Sequence, residues 1–120
     1  MNRLLKSFYH AGRGLWFTIR QEKNVQIHLL VALIVILLAF LLKVSILEFA
    51  ILVTVILFVF VAELLNTIVE LIIDYINPHF NQRARLIKDL SAGIVLLVTL
   101  GAILIGFLVF YPHLLVFFKK

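Results

Sequence analysis

The chain has 120 residues, of which 64% are hydrophobic, and its formal net charge is +5. Its mean hydropathy is +1.18, and a soluble core of this size would not need so much apolar surface, so we exclude a soluble globular domain. The sequence instead predicts one small domain, residues 1–120, that lies in a lipid bilayer. The absence of cysteine excludes disulfides, thiol nucleophiles and thiolate metal sites.

The first 23 residues have the pattern of an amphipathic helix. Lys6, Arg13 and Arg20 repeat every seven positions. Apolar residues recur at steps of three and four on another face: Leu4, Leu5, Phe8, Ala11, Leu15, Trp16 and Ile19. This pattern predicts a surface helix over residues 1–23 at the membrane interface. Its basic side chains would anchor it on phospholipid headgroups or, alternatively, contribute to a phosphate site.

Three apolar stretches approach the roughly 20 residues that an α-helix needs to cross the hydrocarbon. We expect membrane helices over residues 25–42, 46–76 and 88–110. Asn77 and Pro78 end the second helix, because proline cannot continue it. The sequence therefore predicts an all-α membrane protein with three transmembrane helices and an N-terminal amphipathic surface helix.

The basic residues near the spans indicate the orientation. They are concentrated before the first span and in the loop after the second, whereas the loop between those spans has only Lys43 and Glu48. By the positive-inside rule, both basic segments should be cytoplasmic, with the N-terminus inside and the C-terminus outside. We interpret Glu48 as a solvated interfacial charge.

The second span carries a polar stripe. Glu63, Asn66, Glu70 and Asp74 follow one another at steps of three, four and four, so on an α-helix they project from one face. A charged side chain at the bilayer centre costs about 2.5–3.5 kcal/mol on insertion scales, so lipid should not face this stripe. We interpret it as the polar wall of a buried or water-filled site. The simpler alternatives are polar helix packing for the glutamates, an interhelical hydrogen bond for Asn66 and a solvated helix-end charge for Asp74.

Four sequence blocks carry a resemblance to a known family. They are Phe8-x-x-Ala11-x-x-Gly14, residues 22–28 (EKNVQIH), residues 63–70 (ELLNTIVE) with Asp74, and residues 88–93 (KDLSAG). In order and spacing they closely resemble the prokaryotic diacylglycerol kinase family over nearly the whole chain. The block at residues 22–28 is more similar to the undecaprenol kinase branch of that family than to the enterobacterial diacylglycerol kinase.

This resemblance implies an ATP- and Mg²⁺-dependent lipid kinase, which transfers the γ-phosphoryl group to the primary hydroxyl of a membrane lipid. Undecaprenol is the expected acceptor, and diacylglycerol is the alternative. The resemblance also implies a homotrimer with composite sites at its subunit interfaces and no nucleic-acid partner. Such a protein would be a multi-pass component of the bacterial cytoplasmic (inner) membrane, with its active site facing the cytoplasm.

The resemblance further implies roles for individual residues. Glu63 matches the family's catalytic base, and Glu22 and Glu70 match its metal ligands, in line with the preference of Mg²⁺ for carboxylate oxygen. The residues at nucleotide-binding positions are Arg3, His10, Glu22, Glu70, Asp74, His79, Asn81, Lys88 and Asp89. The residues at lipid-substrate positions are Glu63, Asn66 and Ala92.

Some of these residues also have structural interpretations. Lys88 could anchor the third span in the cytoplasm, and Asp89 could interact with the helix dipole at the start of that span. We interpret His28 as a polar interface residue with local hydrogen bonding.

Two other function classes remain. A small proton- or cation-coupled transporter would also place glutamates in the membrane. It has no need, however, for the Lys88-Asp89 pair at the cytoplasmic mouth. A non-catalytic membrane subunit would leave the polar stripe unexplained.

Overall fold

A computed structural model describes residues 2–119, and these residues form four helices and no strand. The helices are α1 (Arg3–Gln21), α2 (Lys23–Leu41), α3 (Ile46–Ile76) and α4 (Gln82–Phe118). The last three are long and apolar enough to cross a membrane. The predicted all-α class, with three apolar spans after an N-terminal amphipathic helix, is confirmed.

The fourth helix is longer than the predicted span at residues 88–110. Asn81 caps its N-terminus, because Oδ1 accepts hydrogen bonds from the backbone N–H groups of Arg83 (2.8 Å) and Ala84 (3.2 Å). At the other end, the helix continues past Pro112 to Phe118. A proline removes one backbone hydrogen bond, but in apolar surroundings the remaining backbone groups are best satisfied by staying helical.

A sharp corner separates α1 from α2. The backbone of Glu22 is extended there (φ −96°, ψ 112°). The last carbonyls of a helix lack intrahelical partners, and Gln26 supplies a donor to two of them. Its Nε2 donates to the carbonyl oxygens of Ile19 (2.9 Å) and Arg20 (3.1 Å). These two bonds hold the end of α1 against the start of α2. The side chain of Gln26 therefore fixes the angle between the two helices and the position of Glu22 at the corner.

We expect Gln26→Ala to weaken this corner. The substitution leaves two carbonyls without their side-chain donor, and a typical intramolecular hydrogen bond contributes about 0.5–1.5 kcal/mol. The protein in detergent should unfold at a lower temperature, and α1 should become more accessible to protease. Gln21→Ala is the matched control, because the side chain of Gln21 makes no hydrogen bond within residues 2–119. Identical melting and proteolysis curves for the two variants would contradict the assignment.

The largest cluster of buried apolar residues lies at the end of the bundle away from the corner. It consists of Ala39, Leu52, Val109 and Phe110. Polar contacts close this end, because Glu48 Oε2 lies 2.9 Å from His113 Nε2 on α4 and also accepts a 2.8 Å hydrogen bond from the backbone N–H of Ser45. A third of the Glu48 side chain is exposed, in line with its interpretation as a solvated interfacial charge, and it is also paired and completes a capping box with Ser45.

The molecule is broad and flat, with extents of 58 × 44 × 20 Å. The 37 residues of α4 account for the longest dimension, at about 55 Å for 1.5 Å per residue. Three helices side by side, about 10 Å apart, do not reach a width of 44 Å, so α1 extends sideways from the bundle. The 31 residues of α3 span about 46 Å, which exceeds the roughly 30 Å of a hydrocarbon core.

Candidate active site

Glu63 is the most deeply buried charged residue within residues 2–119, with 3% of its surface exposed. Its Oε2 lies 3.5 Å from Nε2 of His28 on α2. Burying a carboxylate without a polar partner is costly in free energy, so the contact with His28 offsets part of the cost of burying Glu63. The sequence interpretation of His28 as an interface residue missed the contact, because periodicity within one helix does not show which residue of another helix lies opposite.

The contact with His28 also fixes the depth of Glu63. His28 lies in the second turn of α2, about 9 Å along the helix from the corner at Glu22. Glu63 is therefore inside the bundle, about this far from the level of the surface helix. Asp74, three turns further along α3, lies about 16 Å beyond Glu63 toward the loop that joins α3 to α4. The polar stripe thus runs from inside the bundle toward that loop.

Asn66 and Glu70 lie between these ends of the stripe. Nδ2 of Asn66 donates to Oε1 of Glu70 across 3.4 Å. This bond lies within α3, so in the monomer Asn66 does not connect two helices as the structural alternative supposed. Oδ1 of Asn66 is buried without a hydrogen-bond partner in the described chain. It borders a groove of about 420 Å³ between α3 and α4, where it could accept a hydrogen bond from a ligand or a neighbouring subunit.

A smaller and more polar cavity, of about 140 Å³, lies where α3 turns into α4. Its lining includes four of the predicted nucleotide-binding residues: Asp74, His79, Asn81 and Lys88. Lys88 donates from Nζ to Oδ1 of Asp74, which joins the two helices across the cavity. The structure therefore brings together residues that are up to 14 positions apart in the chain.

Asp89 lies outside this lining. It forms an ion pair with Arg85 one turn earlier, across 3.3 Å, and both side chains are more than half exposed. Since α4 begins at Gln82, Asp89 is beyond the first turn, where a helix dipole has its main effect. The interpretation that Asp89 interacts with the helix dipole is therefore not supported.

Other predicted site residues stand apart in the single chain. Arg3 and His10 are exposed on α1, and Ala92 is exposed on α4. Glu22 is half-buried at the corner, and no hydrogen bond or ion pair joins its side chain to another described residue. Within residues 2–119 there is also no group of three or more His, Asp or Glu side chains that could hold a metal ion.

Comparison with known proteins places this arrangement in context. The profile of the prokaryotic diacylglycerol kinases matches residues 9–110. The chain belongs to that family. The matched segment contains every predicted site residue except Arg3. It also contains His28, whose contact with Glu63 sequence reasoning did not anticipate.

Two named proteins are similar to this chain. The chain is 41% identical over 114 residues to the undecaprenol kinase of Bacillus subtilis, covering 95% of this chain and 93% of the relative. It is 33% identical over 113 residues to a diacylglycerol kinase of Synechocystis, covering 93% of this chain and 65% of the relative. The prediction of a membrane lipid kinase, with ATP as the phosphoryl donor, is confirmed.

Proposed function

We propose that this protein transfers the γ-phosphoryl group of Mg-ATP to the primary hydroxyl of undecaprenol, with Glu63 as the general base. The observation that carries the proposal is the position of Glu63. Glu63 is a buried carboxylate inside the bundle, beside His28 at the end of an apolar cavity that could hold a lipid chain, and a base must reach the proton that it accepts. Asn66, one turn away, supplies an unpartnered acceptor for the same headgroup.

The nucleotide would occupy the polar end of the stripe. The cavity beside Lys88 is lined by polar and cationic side chains and lies on the side of Glu63 away from the apolar bundle. To bind phosphate oxygens, Lys88 would exchange its contact with Asp74 for the nucleotide. His79 and Asn81 border the same cavity, and Asp89, Arg3 and His10 would complete the nucleotide site in the assembled protein.

The carboxylates suit a magnesium ion. Mg²⁺ is commonly bound by one or two carboxylates together with substrate phosphates, so the pair Glu22 and Glu70 meets this need without a third protein ligand. Glu22 and Glu70 would hold this ion, which when bound would supply positive charge to offset that of the phosphates. Asn66 would orient the Glu70 carboxylate through the bond that it already donates.

The active protein would be a homotrimer with sites shared between subunits. In one chain neither Arg3 nor His10 lines the cavity beside Lys88. A neighbouring subunit would bring such residues to that cavity. The basic residues at the corner side of the spans favour a cytoplasmic active site in a bacterial inner membrane.

The choice of lipid rests on two observations. Identity to the undecaprenol kinase is higher and extends over more of the relative than identity to the diacylglycerol kinase. In addition, a cavity of about 490 Å³ between α2, α3 and α4 begins at His28 and continues to Phe110, with His28 and Thr99 as its only polar lining residues. A long polyprenyl chain needs an apolar groove of this kind that starts beside the reacting hydroxyl.

A competition assay tests the acceptor. Purified protein in mixed micelles with labelled ATP is offered undecaprenol and diacylglycerol at equal surface fraction, with ceramide as a third alcohol. We expect a higher kcat/KM for undecaprenol, because only the acceptor whose hydroxyl is aligned beside Glu63 reacts efficiently. A preference for diacylglycerol would show that diacylglycerol, not undecaprenol, is the acceptor, and the proposed kinase chemistry would still hold. Ion flux in liposomes without any phosphate transfer would favour a transporter instead.

A further inference from the structure

We propose that His28 carries away the proton that Glu63 accepts in each turnover. This inference rests on the proposed role of Glu63 as the general base. The two side chains differ in their access to solvent: the Glu63 side chain is 4% exposed, whereas that of His28 is 22% exposed. A carboxylate this buried cannot exchange a proton with bulk water efficiently on its own. His28 contacts it and reaches solvent, so it provides the missing step.

The proton balance is simple. The lipid hydroxyl oxygen bonds to the γ-phosphorus while the bond from that phosphorus to the β–γ bridging oxygen breaks, and the hydroxyl proton passes to a carboxylate oxygen of Glu63. Glu63 then gives this proton to the lone pair of Nε2 on neutral His28, which lies 3.5 Å from Oε2. The imidazolium releases a proton to water, and the ionised base is restored. His28 borders the lipid groove but exchanges no proton with the lipid or the nucleotide; it acts through Glu63.

The surroundings of His28 leave Glu63 as its partner in this exchange. On α3, Glu63 is the charged group that contacts it. On α4, the residues across the shared cavity are uncharged: Thr99, Ala102, Ile103, Gly106, Phe107 and Phe110. One turn away on α2 are Asn24 and Ala32, which do not titrate, and the closest charges along that helix are Glu22 and Lys23 at the corner.

Chemical rescue tests the inference. His28→Ala would remove the imidazole ring at the end of the lipid groove, and free imidazole fits the space of the lost ring next to Glu63. We expect His28→Ala and His28→Gln to lower kcat about tenfold or more, with KM for ATP and lipid little changed, since proton transfer contributes roughly 100-fold or more in well-placed acid–base catalysis. Imidazole in the buffer should restore kcat of His28→Ala in proportion to its concentration.

Rescue is a readout that a purely structural role would not produce. If His28 only supported the packing around Glu63, imidazole would not restore kcat of His28→Ala.

His113→Gln is the matched control. His113 also pairs with a carboxylate, Glu48, at 2.9 Å, but at the opposite end of the bundle, so its loss should leave kcat and the response to imidazole unchanged. An unchanged kcat in His28→Gln, or a His28→Ala variant that imidazole does not restore, would overturn the relay. Absence of phosphate transfer by the natural protein would instead count against the proposed function, so the two failures are distinct.

Discussion

Replacing Glu63 with glutamine is expected to reduce kcat by about 100-fold or more, because general base catalysis typically contributes that much and an amide cannot accept the proton. Affinity for ATP should change little, since the cavity beside Lys88 lies about 16 Å further along the stripe. Glutamine has nearly the shape of glutamate, so packing around this buried position should persist. Single-turnover phosphorylation in micelles, with nucleotide binding measured separately, checks both parts.

Glu48→Gln is the control for this experiment. Glu48 is also a paired acidic residue of α3, but it lies at the N-terminal end of that helix, beside His113. We expect nearly normal turnover, with any loss confined to thermal stability. Reduced ATP binding by Glu63→Gln together with normal turnover at saturating ATP would move Glu63 into the nucleotide site.

Replacing Glu22 or Glu70 with glutamine is expected to lower the turnover rate about 100-fold or more at low Mg²⁺. The charge of each carboxylate attracts the cation, metal assistance is worth several kcal/mol, and each 1.4 kcal/mol or so corresponds to a factor of ten in rate. At position 70 the amide could still contact Asn66, so the fold of α3 should be retained. Titration of activity against Mg²⁺ should show a higher requirement for each variant.

Mixed assemblies sharpen this prediction. If the two carboxylates act in sites shared between subunits, co-assembly of inactive Glu22→Gln and Glu70→Gln subunits should recover part of the activity, because some interfaces then combine two intact residues. Normal Mg²⁺ dependence of either single variant would remove that residue from the metal site. Complete inactivity of the mixture, with assembly intact, would place both residues in one subunit's site.

The sequence predicted the helical part of this protein well, because the signals are local. A run of apolar residues long enough to cross a bilayer favours a helix whatever its neighbours are, and Pro78 limits the second span in the way expected of proline. Spacing alone put Glu63, Asn66 and Glu70 on one face of α3, and in the structure Glu63 and Asn66 are buried while Asn66 donates to the half-buried Glu70. The bounds of α4 were less predictable, since the cap at Asn81 depends on loop geometry.

By itself, the sequence determined the family, the number of spans and the polar face of α3, because these depend on local pattern and composition. Only the tertiary structure decided which residues meet across helices: His28 with Glu63, Lys88 with Asp74, and Glu48 with His113. Such contacts depend on the relative level and rotation of neighbouring helices, and helical periodicity carries no information about either. The proton path proposed through His28 therefore became visible only when α2 was seen beside α3.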